Sequence, residues 1–212
     1  MKLLKAKKVL LILAGIFGIL ASLGMLVAGL SYSFLGFAYS IGFIAYGIAM
    51  ITQISSGNSI VINDQVLEGD QGVAMMIGIV AFAVILISIV FFFLSGPGYL
   101  GFIFLLVGSI LAFTASGKKK KGTHIASIIF SSLSIIPALS YFMMAWIYTM
   151  LFVVVLLLLI TPVGWLGLGL IVGFWGTGLA FILSILGNIF GLVGIKKEKQ
   201  LQEQQVEIQE VK

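Results

Sequence analysis

The sequence predicts an all-α fold: a polytopic integral membrane helical bundle of six or seven transmembrane segments. Three observations carry this. The 212 residues are 61% hydrophobic and 9% charged, with a mean hydropathy of +1.24. An average soluble domain is about 25% charged, so this chain lacks the polar side chains to cover a water-facing surface. Charge-free runs are long, and lysine clusters bracket them. Within lipid every backbone polar group must be satisfied internally, which leaves helices or closed barrels.

The spans follow from dividing those runs by about 20 residues, the length of helix that crosses a hydrocarbon core. Val9 to Asn63 is free of charge and holds two spans, 9–30 and 33–52, with a turn at Ser31, Tyr32 and Ser33. The first apolar stretch, Val9 to Leu30, exceeds the 7–15 residues of a signal-peptide core, so it reads as a retained helix. Gln71 to Gly117 holds two more, 73–95 and 98–117. Gly96-Pro97-Gly98 is the expected break, because Pro and Gly disfavour helix continuation. Ile125 to Ile195 divides into 125–146, 148–171 and 175–195, with Trp146, Tyr148 and Trp175 as interface markers and Thr161-Pro162-Val163-Gly164 as a break inside the second of them. Residues 1–195 thus form one transmembrane domain, and 196–212 a polar tail.

Orientation comes from the lysines. All 12 basic residues are Lys, at 2, 5, 7 and 8, at 118–121, at 196, 197 and 199, and at 212. Basic clusters stay cytoplasmic, so the N-terminus and Lys118–Lys121 face inward across a cell membrane. The loop 53–72, with Asp64, Glu68 and Asp70, is cytoplasmic by the same parity. Three further spans would place Lys196, Lys197 and Lys199 outside, against the rule. Six crossings remove the conflict if 148–174 dips in and returns, with Thr161–Gly164 at its tip. Seven crossings with an outward tail is the alternative. The tail, rich in Gln and Glu, reads as solvated; Leu201, Ile208 and Val211 near one face leave a short partner helix as a second reading.

Two helix ends look alike: Val107-Gly108-Ser109-Ile110-Leu111-Ala112 before Lys118, and Leu186-Gly187-Asn188-Ile189-Phe190-Gly191 before Lys196. Two helix starts also match, Ala14-Gly15-Ile16-Phe17 and Ala126-Ser127-Ile128-Ile129. Repeat units of about 2–121 and 118–199 and chance similarity of apolar helices are both open readings. A Gly-rich helix, a Lys run and a small-residue helix, over Gly98 to Ile136 and Gly187 to Lys199, resemble small uncharacterised multi-pass membrane proteins of Gram-positive bacteria. The resemblance covers a third of the chain and implies membrane residence, with no catalytic or binding residue.

Composition also restricts chemistry. There is no Cys, which removes disulfides, thiolate metal sites and Cys nucleophiles. His124 is the single His, so no His-based metal site forms; beside the Lys run it reads as interfacial. Ser127, Ser131, Ser132, Ser134 and Ser140 have no buried base to activate them. Asp64, Glu68 and Asp70 do not match calcium-loop spacing, and the lysines bracket apolar runs where a nucleic-acid binder would spread them over a face. No enzyme, cofactor, metal or nucleic acid is therefore expected.

Helix packing is the expected use of the small residues. Four-residue spacing recurs at Ala14, Gly18 and Ser22, at Gly108, Ala112 and Ser116, at Ser127 and Ser131, at Gly169 and Gly173, and at Gly187 and Gly191. Tyr32, Tyr39 and Tyr46, spaced by sevens, form a stripe that either packs or walls a cavity, with Thr161 and Asn188 as further lining candidates. The expected role is a non-enzymatic accessory, regulatory or assembly component. Its partners are membrane lipids and a second copy or another membrane protein. The alternative is a transporter or channel subunit for an uncharged or lipidic substrate.

Overall fold

The computed structural model describes residues 2–62, 65–117 and 120–210, with side chains between residues 5 and 205 of those ranges. Asp64, Lys118, Lys119, Val211 and Lys212, and the side chains of Lys2, Glu207, Ile208 and Glu210, lie outside the described residues. The chain forms α1 (Lys2–Ser55), β1 (Ile60–Ile62), β2 (Gln65–Leu67), α2 (Gly69–Gly117), α3 (Lys121–Leu133), α4 (Ile135–Ser140), α5 (Phe142–Met150), α6 (Phe152–Leu157) and α7 (Pro162–Glu210). Among the described residues, four helices are long and apolar enough to cross a membrane: Lys5–Ser55, Gly69–Gly117, Lys121–Ser140 and Pro162–Gln205.

Two expected turns are helical instead. α1 runs through Ser31–Ser33 and α2 through Gly96–Gly98, so each carries two of the expected spans in one element. At 1.5 Å per residue they are about 81 Å and about 74 Å long. Pro97 removes one helical hydrogen bond and crowds the carbonyl of Phe93. The helix continues nonetheless, and Gly98 is a packing point: a Cβ there would lie 2.7 Å from the backbone N and Cα of Gly29.

The single expected span 125–146 is divided. α3 ends at Leu133, four residues before Pro137, whose ring excludes a helical carbonyl at that position. The break expected at Thr161–Gly164 inside 148–171 is present: α6 ends at Leu157 and α7 starts at Pro162. Thr161 caps α7 by accepting the Gly164 N–H (3.4 Å), and Pro162 sits at the first helical position, where its missing N–H costs nothing. The expected solvated tail is helical as far as Glu210, a continuation of α7.

The chain divides into two compact units, residues 1–29 with 97–212, and residues 30–96. In the first, α3, α4, α5 and α6 each pack on α7. The N-terminal part of α1 lies between α2 and α7. Gly15 meets Phe113 and Gly18 meets Ser109 on one side; Gly24 meets Gly169 and Gly173, and Gly187 meets Leu11, on the other. Gly108 of α2 closes the ring against Ser131 of α3. Leu11, His124 and Gly191 pack at one end of this bundle, and Lys5–Lys8, Lys120–Lys121 and Lys196–Lys199 all flank that end. From Lys121 to Lys196 the chain therefore goes out along α3–α6 and comes back along α7.

The second unit pairs α1 residues 30–55 with α2 residues 69–96. Gly36 admits Phe91, Gly47 admits Val80, and Tyr39 stacks on Phe91 with centroids 5.7 Å apart. Gly57, at φ 86°, ends α1: its N–H donates to the Ile54 carbonyl and that of Asn58 to the Gln53 carbonyl, the paired bonds of a glycine C-cap. The polar loop 53–72 contains an antiparallel hairpin with Ile60 opposite Leu67 and Val61 opposite Val66. Ile60, Ile62 and Leu67 cluster with Ile54 and Met76.

Candidate functional site

α3 and α7 meet along two interlocking stripes. His124, Ser127, Ser131 and Ser134 recur on one face of α3 and its cap; Thr177, Ala180, Ser184, Asn188 and Gly191 recur on α7. Spacings of three and four residues put each set on a single face. All four residues of the first stripe are buried, and His124 and Asn188 are both 0% exposed.

Asn188 is the centre. Its Nδ2 donates to the Ser184 carbonyl (2.8 Å) and to the hydroxyls of Ser127 (3.1 Å) and Ser184 (3.2 Å). A carbonyl can only accept, so the amide orientation is fixed with Oδ1 facing His124 Nδ1 at 2.7 Å. Nδ1 must then carry a proton, an assignment made from the network. Ser131 donates to Ser184 Oγ (2.8 Å). Gly191 completes the fit, because a Cβ there would overlap the imidazole. Interhelical bonds of this kind in membrane proteins contribute about 0.6 kcal/mol on average and up to about 1.7 kcal/mol each. The network holds α3 and α7 in one register.

His124 stands at the lysine-flanked end of the bundle, as its place beside the Lys run implies, and its ring is buried against α7 because α3 starts one turn before the expected boundary. One expectation from the sequence is corrected. The serines of α3 have a buried imidazole on their own face. Asn188 bonds to both His124 and Ser127, and stands between them. Ser184 and Ser109 escaped sequence reading; the signal for Ser184 was its position one helical turn before Asn188.

The other small residues fall in the same unit. Ala14 and Ala112 cluster with Leu11 and Ala115. Gly18 packs on Ser109 and Ala180, Gly169 on Gly24 and Ala28, and Gly173 on Met25. Ser22 is buried, with its hydroxyl on its own helix at the Ile19 carbonyl, 2.7 Å away. Trp175 Nε1 donates to Thr149 Oγ1 (3.0 Å), and the ring meets Trp146 edge-on.

The candidate cavity residues do not converge. Tyr39 and Tyr46 line an open apolar groove of about 550 Å³ with Leu35, Ala38, Gly42 and Phe43, all on α1. Tyr32 is buried, Thr161 caps α7 and Asn188 lies in the α3–α7 network. Among the described residues no three His, Asp or Glu side chains come together to hold a metal ion. Comparison with family models, with curated proteins and with solved structures finds no match for this chain.

Proposed function

We propose that the chain is a non-enzymatic multi-pass membrane protein, an accessory, regulatory or assembly component that works through its helix faces. The observation behind this reading is the interior of the first unit. Glycine, alanine and hydrogen-bonded serine seal the helices against one another, and the cavity among them holds about 10 Å³. A protein that conducts a substrate through these helices needs a wider polar path.

The topology that fits best has six crossings, with both termini and the lysine clusters in the cytosol. The out-and-back course from Lys121 to Lys196 supports an even number of passes there. α1 and α2, unbroken through residues 31–33 and 96–98, are each long enough for two bilayer lengths, and this topology requires each to be interrupted there. Side chains such as Phe34, Phe37, Ile41, Ile48, Phe82, Phe92 and Phe93 are exposed, and each costs about 1.5–3 kcal/mol if left in water. Single cysteines at Gln65, Lys120, Ile160 and Gln204 test this. Impermeant thiol reagents should reach Ile160→Cys from outside and the other three only from the cytosolic side. Outside labelling of Gln204→Cys sinks the six-crossing topology.

The groove at Tyr39 and Tyr46 favours a second reading, a transporter or channel subunit for an uncharged or lipidic substrate. Purified protein in vesicles should give no uptake of an apolar dye under the first reading. Uptake abolished by Gly42→Trp would replace it with the second.

A further inference from the structure

The bundle of the first unit encloses a cavity of about 10 Å³ lined by Ser109 of α2, Ser131 and Ser134 of α3 and its cap, and Ser184 of α7, with Ala14, Gly18, Gly108 and Ala180 among its apolar walls. That volume is about one water molecule. The hydroxyl protons are almost all committed elsewhere. Ser109 donates to the Leu105 carbonyl (2.6 Å), Ser134 to the Ser131 carbonyl (2.7 Å) and Ser131 to Ser184 Oγ (2.8 Å). What Ser109 and Ser134 turn toward the cavity is lone-pair density. Ser184 already accepts from Ser131 and Asn188, and the Ser127 hydroxyl lies 3.4 Å away, at the long limit of a hydrogen bond, which leaves the Ser184 proton for the cavity.

We infer that this cavity is a binding site for a single structural water. The water donates to Ser109 and Ser134 and accepts from Ser184, three partners, which is the usual number for a buried water. A monovalent cation would find oxygens here but no carboxylate, and its desolvation would go uncompensated. An empty void would leave acceptors facing one another in a medium of low dielectric. The water carries the His124–Asn188–Ser184 network across to α2, whose Ser109 otherwise bonds within its own helix. Ser109 is buried at 3% exposure, so bulk solvent does not reach it.

A high-resolution structure of the full chain in lipid should show one peak within hydrogen-bonding distance of the Ser109, Ser134 and Ser184 oxygens. Ser109→Ala removes an acceptor, and Ser109→Val also fills the space. With a bound water, both variants lower the thermal midpoint by about 2–4 °C, and Val is no better than Ala. A cavity empty of density, or a midpoint raised by Ser109→Val, overturns the proposal. A wild-type midpoint that climbs with sodium or potassium concentration at constant ionic strength does so too, by assigning the site to a cation. If Ser109→Val fails to fold, Ser134→Ala and the wild-type density still decide.

Discussion

Asn188 shows how one side chain can set the relation of two helices. Its amide bonds to α3 and to its own helix, so removing it takes the Nδ1 partner from a buried imidazole and one bond from each of the Ser127 and Ser184 hydroxyls. Asn188→Leu keeps the branching and the number of heavy atoms but none of the hydrogen bonds, and should cost about 1–3 kcal/mol, the penalty of removing a buried polar partner. Thermal unfolding in detergent measures this, and an unchanged midpoint refutes the role of the network. Gly191→Ala should cost about 1–3 kcal/mol by overpacking the His124 ring. The double variant Gly191→Ala/His124→Ala should recover part of the loss, since the clash has gone. At this scale the sequence was half legible. The spacing of Gly187 and Gly191 and of Ser127 and Ser131 revealed packing faces, because spacing along one helix is a local property. It did not reveal that His124 points inward. The rotation of α3 about its axis is set by α7, some sixty residues away in the chain.

The elements separate cases that residue type alone cannot. Gly57 holds a left-handed conformation at the end of α1 with open space around it. Gly57→Ala should therefore cost about 1–2 kcal/mol from backbone strain. Gly42 and Gly78 sit within helices, with nothing within 4 Å of an added Cβ. Gly42→Ala and Gly78→Ala should each stabilise by about 0.5–1 kcal/mol, through helix propensity and a less flexible unfolded chain. A stabilised Gly57→Ala, or destabilised Gly42→Ala and Gly78→Ala, would show that the backbone argument fails. The same contrast explains the misread breaks. Gly96-Pro97-Gly98 looks like a turn by composition, yet Gly98 is occupied in receiving Gly29. Pro137, unremarked in the sequence, does end a helix. The hairpin at Ile60–Leu67 is short, and its apolar runs of three and two residues were submerged in a polar loop; Val61 and Val66 point outward once the register is known.

For the whole molecule, the helical class was legible from composition, since 9% charge and unbroken apolar runs admit few other folds. The path of the chain was not. The lysines at 196–199 flank the same end as those at 5–8 because α3–α6 and α7 form one out-and-back pair, a relation no hydropathy plot contains. Charge placement then gives a prediction at this scale. Replacing Lys196, Lys197 and Lys199 together with Gln should weaken the cytosolic bias of that end. The fraction of Gln204→Cys labelled from outside should rise above the background seen with the lysines intact.

The first unit is assembled from two separated stretches, residues 1–29 and 97–212. A ribosome adds about 5–20 residues per second. The opening helix, with Gly18 and Gly24 ready for neighbours, therefore waits several seconds while residues 30–96 are made, and longer still for α7. During that interval its small-residue face is covered only by lipid or by a helper already in the membrane. Nascent chains arrested near Gly96 should be more readily degraded than those arrested beyond Lys196, so biogenesis, not the finished fold, is where this protein is most vulnerable.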